Sequence, residues 1–517
     1  MNPLSSKNNY YYFQTTVEPT KNEAKKDDFP LSSNDMQTIL DEHNANEYDQ
    51  SDRIFESIPN EMALKISGYM NNRSLSAMRQ VSVASHEAVN GLWERHIQLD
   101  QIKFSQIKDF YACYKALDVP SLKIKISSIQ TELFKGLIQI LSENDQIKGI
   151  KLTARQLALK WTDMGHLAKL KNLTSLDIFG NEVWPEDDTY FKELTNLTTL
   201  NVTCNYFGEN AAPLAELTNL TSLDIRNNFL KPDSGAYLMK LTKLTSLDIG
   251  HNKLRTEGVA PLTALTNLTA LDIERNRVGP NGATHLATLP KLSSLNLAQN
   301  ALGLNGSAPL VKLKNLTSLN LMDNNLAPND ATFLAELTNL TSLSIGCNKL
   351  GPDGATVLAK LTNLISLGIY DNKLGLNGAD SLTMMTKLES LNIGNNELGP
   401  NGAVALTALT NLTSLGISHT KLGHNGADPL AKLTKLESLD IMNNNSGPDG
   451  AAFLTELTNL TSLNIRDNQL GLNSAPPLAK LTNLTSLDIG ITDFSDTDIN
   501  NLRTNLWKLT HLNQYPF

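Results

Sequence analysis

The chain is 517 residues long, 40% apolar and 19% charged, with a net charge of −9 and a pI near 5.6. That balance argues against broad binding to nucleic acid or to an anionic membrane surface, both of which favour a basic excess. No apolar run approaches the roughly 18 residues that span a bilayer, and the start, MNPLSSKNNYYYFQTTVEPTK, lacks the apolar core of a secretory signal, so Sec export is not expected.

Residues 1–52 are rich in Asn, Ser, Lys, Asp and Glu and show little periodic hydrophobicity. Such a segment buries too little apolar surface to offset its ordering entropy, and a mostly disordered leader is expected. Its aromatic cluster Tyr10, Tyr11, Tyr12 and Phe13 reads as a short docking or translocation element, or as part of a featureless tail. The three cysteines of the whole chain, Cys113, Cys204 and Cys347, lie far apart without C-x-x-C spacing. They read as small buried apolar side chains in a reducing compartment, with no metal or redox role and no cofactor.

Residues 53–100 have helical periodicity. Pro59 suits the first turn of a helix, with Asn60 and Glu61 beside it, and Met62, Ile66, Tyr69 and Met70 then form one apolar face. The stretch NNRS reads as a turn, Leu75, Met78 and Val81 restart an apolar stripe, and a third short helix is expected to end at Trp93. The outcome would be a small trihelical unit, too small to be self-sufficient, leaning on a partner or on the rest of the chain.

The order Ile58-Pro59-x-Glu61-Met62-x-x-x-Ile66-x-x-Tyr69-Met70, then Ser74-Leu75, Gln80-Val81-Ser82 and Leu92-Trp93, resembles an F-box. The resemblance implies binding to the Skp-type adaptor of a cullin ubiquitin ligase, with Ile58, Pro59, Leu64, Ile66, Leu75 and Val81 as adaptor-facing residues. Several of the same positions must also hold the three helices together. Two residues depart from the pattern: Ser67 replaces a larger apolar residue, and Ser85 stands where an aromatic commonly occurs.

Residues 101–172 read as a linker and two degenerate repeats: a strand in SLKIKI (121–126), a helix in TELFKGLIQILSE (131–143) and a strand in IKGIKL (147–152). From Leu173 to residue 492 one phrase recurs. Its leading leucines, among them Leu173, Leu197, Leu220, Leu244 and so on to Leu484, are 24 residues apart except for one step of 23. A typical unit is LTSLSIGCNKLGPDGATVLAKLTN, an L-x-x-L-x-L-x-x-N frame followed by L-G-P-x-G-A-x-x-L-A-x-L.

This is the leucine-rich-repeat signature. It implies an α/β solenoid of about 14 units, with a short strand per unit in a parallel sheet on the concave face and a helical return on the convex face. The asparagine of each frame, for example Asn252, Asn348 and Asn468, is expected inside, where stacked amides satisfy turn backbones. Thr420 and Thr492 interrupt this row, and Thr420, being internal, predicts a slightly loosened turn. The many N-L-T triplets are formally glycosylation acceptors but read here as repeat consensus. After residue 492 the repeat decays into an amphipathic cap, 493–517.

Within the strand the solvent-side residues are small and polar and read as carrying little partner information. The two positions after the strand's last apolar residue vary from unit to unit. Arg226, His251, Glu274, Arg275, Met322, Asp323, Tyr370, Asp371, Met442, Arg466 and Asp467 are the candidate target-binding residues in that row, rich in the side chains that anchor protein interfaces. The alternative is that these positions are merely the least constrained.

No H-E-x-x-H, G-x-S-x-G or phosphate-binding loop occurs, and the nine histidines are scattered without a convincing carboxylate partner. A non-catalytic chain is expected. The G-A-x-x-L-A returns, GAVALTAL and GATVLAKL, are similar to the GALA-type F-box/leucine-rich-repeat effectors of host-associated bacteria. That resemblance implies the substrate-recognition subunit of an SCF-type ubiquitin ligase, delivered without a Sec signal into a host cytoplasm and holding an unidentified target protein. The alternative is a leucine-rich-repeat binding or inhibitory scaffold with no link to ubiquitin.

Overall fold

The computed structural model describes residues 81–89, 92–100, 121–128, 131–142, 149–183, 190–208, 211–490 and 494–514, all within one unit, Leu64–Phe517. The expected leader, the candidate adaptor residues Ile58, Pro59, Leu64, Ile66 and Leu75, and Thr492 lie outside the described residues.

Among the described residues the chain forms one 19-stranded sheet in which each strand pairs with its predecessor. Strands β1 (Val81–Val89) and β2 (Leu92–Asp100) are antiparallel; every later pairing, beginning with β2 to β3 (Ser121–Ser128), is parallel. The helix expected to end at Trp93 is therefore corrected: Val81, an expected adaptor contact on a helix, opens a strand and pairs with Leu99. The local chemistry accounts for it. Val81-Ser82-Val83 and Ile97-Gln98-Leu99 alternate apolar and polar residues with period two, the pattern of a strand.

Helix α1 (Thr131–Ser142) and strand β4 (Gly149–Ala154) come next, with Leu122 paired to Ile150, and helix α2 (Trp161–Leu167) leads into β5 (Leu173–Asp177). Phe134, Leu137, Ile138 and Leu141 bury one face of α1 at helical spacing. Beyond β5 come twelve strands of three residues each, Thr199–Asn201 to Ser462–Asn464, then Ser486–Gly490 and His511–Gln514.

The repeated leucines explain this stacking. In the unit 340–363, Leu340, Leu343, Ile345, Leu350, Ala355, Leu358 and Leu361 are all at most 1% exposed. Equivalent residues pair in register, Leu319 to Leu343 to Leu367, so neighbouring units complete the cover of each unit's leucines in one continuous core. The returns are short. Four of them, Ala212–Glu216, Ala260–Ala264, Ala308–Lys312 and Asp428–Lys432, are 3-10 turns with a proline as second residue, which supplies no N–H to an α-helical ladder.

The frame asparagines form an interior ladder. Asn252 Oδ1 accepts from the N–H groups of Asn228 and Leu230 in the preceding unit, both at 3.0 Å. Its Nδ2 donates to the carbonyls of Ile225, Ile249 and Gly250. Thr420 keeps the course of its turn, with Gly399 N–H donating to its carbonyl at 3.0 Å, but its hydroxyl engages Ile417 O and Asn444 Oδ1 instead.

A second ladder, exposed, uses the N-L-T triplets. Asn219 Nδ2 donates to Thr195 O and Thr221 Oγ1 to Thr198 O, and the same two bonds recur at Asn267 and Thr269 and at Asn459 and Thr461. Both polar residues of the triplet thus tie each unit to the one before it. At the trailing end Ser495 caps the helix Asp496–Asn505 in a capping box with Asp498, Ile499 and Leu502 are buried, and His511–Gln514 adds the last strand.

Candidate functional site: the open face of the sheet

Each three-residue strand buries its central leucine and turns the flanking residues to the opposite face. Counting from the leading leucine, the third, fifth and seventh residues of a unit point out on this face. The candidate residues divide by backbone. Arg226, Glu274, Met322, Tyr370, Met442 and Arg466 occupy the seventh position. His251, Arg275, Asp323, Asp371 and Asp467 occupy the eighth, where φ is between 52° and 56°. Left-handed backbone disfavours branched side chains and tolerates Asn, Asp and His, so the composition of the eighth column answers to the turn as well as to any partner.

The structure brings several candidates together. The Tyr370 hydroxyl is directed at Met322 Sδ, 48 residues away in sequence, and its ring lies across Gly346, where an added β-carbon would meet it at 2.5 Å. Glu274 lies 3.7 Å from His251 Nε2 and 3.6 Å from Arg275 Nε. Arg466 pairs with Asp467 at 3.2 Å. Asp371, Tyr370 and Asp323 gather around the Cys347 thiol.

The fifth column, dismissed on sequence as carrying little information, proves to shape this face. Its side chains close a turn over the N–H of the seventh residue, as in Thr203 N–H to Asn201, Met322 N–H to Asn320 and Met442 N–H to Asp440. Three successive units put aspartates there: Asp224, Asp248 and Asp272, on paired strands. Arg226 bridges two of them, with Nη2 2.8 Å from Asp224 Oδ2 and Nε 3.0 Å from Asp248 Oδ2.

Burial, and then the charges of Asp272 and Asp224, push the Asp248 carboxyl up to about 8, against the opposing pull of Arg226 and of the Gly250 N–H. The Arg226 guanidinium is held above its ordinary value, chiefly by its hydrogen bond to Asp224. Farther along, burial also raises Asp440. The signal available in sequence was the run LDIRNN, LDIGHN, LDIERN, the one place where three successive units carry an acid at the fifth position, with an arginine at the seventh in the first of them.

Cys204 and Cys347 are both free and partly buried. Burial, reinforced by Asp371, pushes the Cys347 thiol up to about 11, which leaves little thiolate at neutral pH. Among the described residues no group of three or more His, Cys, Asp or Glu side chains is arranged to hold a metal ion, and no helix is long and apolar enough to cross a membrane.

A leucine-rich-repeat family model matches residues 218–278, and a second model of the same description matches 312–335, 336–359, 385–406 and 456–479. The chain is a leucine-rich-repeat protein. Among solved structures it is similar to an internalin of Listeria monocytogenes, with 26% identity over 65% of this chain and 84% of that one and a TM-score of 0.44. It is similar also to a leucine-rich-repeat protein of Leptospira interrogans, with 20% identity over 77% and 91% and a TM-score of 0.46. The functional domain of InlJ from Listeria monocytogenes matches with 20% identity over 72% and 73% and a TM-score of 0.44. A search of curated proteins found no significant match.

Proposed function

We propose that this chain is a non-catalytic scaffold that holds a partner protein on the open face of its sheet. The observation that carries the reading is the seventh column: unlike, partner-type side chains, Arg226, Glu274, Met322, Tyr370, Met442 and Arg466, stand on a face otherwise made of small polar residues. The test is a photo-crosslinking amino acid placed at Met322 or Tyr370 and, on the helical side, at the exposed Glu336. One protein captured from the first two positions and not from the third supports the reading. Capture from Glu336 alone, or equally from all three, overturns it.

A finer reading makes the chain the target-binding subunit of an SCF-type ubiquitin ligase, delivered by a bacterium into a host cytoplasm. It rests on the resemblance of Ile58-Pro59, Leu64, Ile66, Leu75 and Val81 to an F-box and of the returns to GALA-type effectors. The hairpin Val81–Asp100 weighs against the last part of that motif and favours the plain scaffold. Full-length chain and a purified Skp-type adaptor decide between them. The ligase reading requires direct binding that is lost in Pro59→Ala/Ile66→Ala; an adaptor that does not bind leaves the scaffold.

A further inference from the structure

At one loop edge of the solenoid, just past the asparagine ladder, four successive units depart from the repeat. Their tenth residues are Tyr206, Phe229, Lys253 and Arg277, and their twelfth include Lys231 and Arg255. Later units place Ala301, Asn325 or Asn445 at the tenth position, and the twelfth is glycine in each unit from Gly351 to Gly447. The repeat supplies its own baseline: the turn requires neither a ring nor a cation at these places.

The Tyr206 and Phe229 rings are 49% and 48% exposed and lie nearly parallel, with an interplanar angle of 7° and centroids 6.4 Å apart. Lys253 Nζ continues the row, 5.8 Å from the Phe229 centroid. Two of these residues sit where the backbone disfavours them. Arg255 has a φ of 54°, and its N–H donates to Asn276 O at 2.9 Å, the bond that Gly279, Gly351 and Gly375 make to the next unit from the same position. Phe229 has a φ of 62°, uncommon for a bulky side chain. Lys253, Arg255 and Arg277 are exposed, and among the described residues neither Arg255 nor Arg277 is held in an ion pair. The same loops also expose Asp233 and Glu257, two residues past the twelfth position.

We infer that this edge is a second docking surface, for an acidic segment of a partner protein that carries an aromatic side chain. The partner's ring lies on Tyr206 and Phe229, and the carboxylates beside it reach Lys253, Arg255 and Arg277. The inference goes beyond the scaffold reading, which concerns the sheet face. Charge complementarity selects an acidic occupant, and the exposed ring pair selects one with a flat apolar group. A long polyanion such as a nucleic-acid strand fits less well, because the same units carry Asp224, Asp248 and Asp272 on the sheet face.

The test is fluorescence anisotropy of full-length protein with a labelled octapeptide of alternating glutamate and tyrosine. Octaglutamate and an octapeptide of alternating lysine and tyrosine are the comparisons. The Glu-Tyr peptide is expected to bind more tightly than either, with an affinity that falls as salt rises. Arg255→Gly and Phe229→Asn give the two disfavoured positions the residues that other units carry there. Each is therefore expected to keep or raise Tm while weakening binding by about fivefold. Lys349→Asn/Lys373→Asn, in the tenth column but with no ring beside them in it, is expected to leave binding unchanged.

Full binding in Arg255→Gly/Phe229→Asn, equal loss in the Lys349 and Lys373 variant, or equal binding by either comparison peptide overturns the inference. So does an oligothymidylate that binds more tightly than the Glu-Tyr peptide and is lost in the same edge variants. A Glu-Tyr peptide that does not bind removes the edge surface alone, since capture from Met322 and Tyr370 decides the sheet-face reading separately.

Discussion

Thr420→Asn should stabilise the protein, and the amount can be worked from the asparagine ladder. At the preceding rung, Asn396 Oδ1 accepts from Asn372 N–H at 2.8 Å and from Leu374 N–H at 3.3 Å. The equivalent donors one unit on are the N–H groups of Asn396 and Leu398. Thr420 is fully buried, and its hydroxyl is engaged with Ile417 O and Asn444 Oδ1, each at 2.9 Å, on the side away from those donors. An asparagine at 420 restores an acceptor for both and keeps the bond to Ile417 through its amide, as Asn444 does to Ile441 at 3.0 Å.

Two buried hydrogen bonds at a net 0.5–1.5 kcal/mol each amount to about 1–3 kcal/mol. Urea midpoints give the global effect, although a repeat array need not unfold in one step. Hydrogen exchange measured by mass spectrometry gives the local one, with slower exchange expected in the segment containing Asn396 and Leu398. Asn372→Thr should speed exchange at Leu350 in the unit before it, whose N–H donates to Asn372 Oδ1 at 3.3 Å. If Thr420→Asn leaves both the midpoint and the exchange of that segment unchanged, the ladder is not the source of stability assigned to it.

Asp248→Asn should remove a pH dependence. The carboxyl titrates near 8 in the folded chain against 3.8 ordinarily, so between those values the folded state holds the extra proton. The contribution of Asp248 to stability is accordingly present at low pH and lost as pH rises through about 8, and the gap in Tm between the variant and the parent should widen in the variant's favour over that window. Gly235→Ala should destabilise by about 1–3 kcal/mol, because the new β-carbon would stand 2.1 Å from Gly258 O, a backbone atom of the next helix that cannot rotate away; thermal melts check it, and an unchanged Tm would refute so tight a contact. Cys347 should react slowly with a thiol reagent at pH 7 and become fast in urea, since its thiol is half-buried and titrates near 11.

Much of this molecule was determined by its sequence alone. A phrase repeated every 24 residues specifies which leucines face inward, where the strand stops and which asparagine enters the turn, because each is a local pattern that neighbouring units copy. The strand–helix–strand segment from Ser121 to Ala154 was legible for the same reason. At residues 81–100 the apolar spacing fits a helix as well as a strand, and pairing with β3 is what makes β2 an extended strand.

The site was the least legible part, since its features are relations between units rather than properties of one. Tyr370 covers Gly346 and reaches Met322, while Arg226 lies against Gly250 and turns to Asp224 and Asp248. Four glycines in the same column, Gly250, Gly346, Gly394 and Gly490, thus meet four different neighbours: Asp272 with Arg226, the Tyr370 ring, Ser418 and the Arg466 stem. What separates them is the rotamer of a side chain one strand away, and only the tertiary structure decides it.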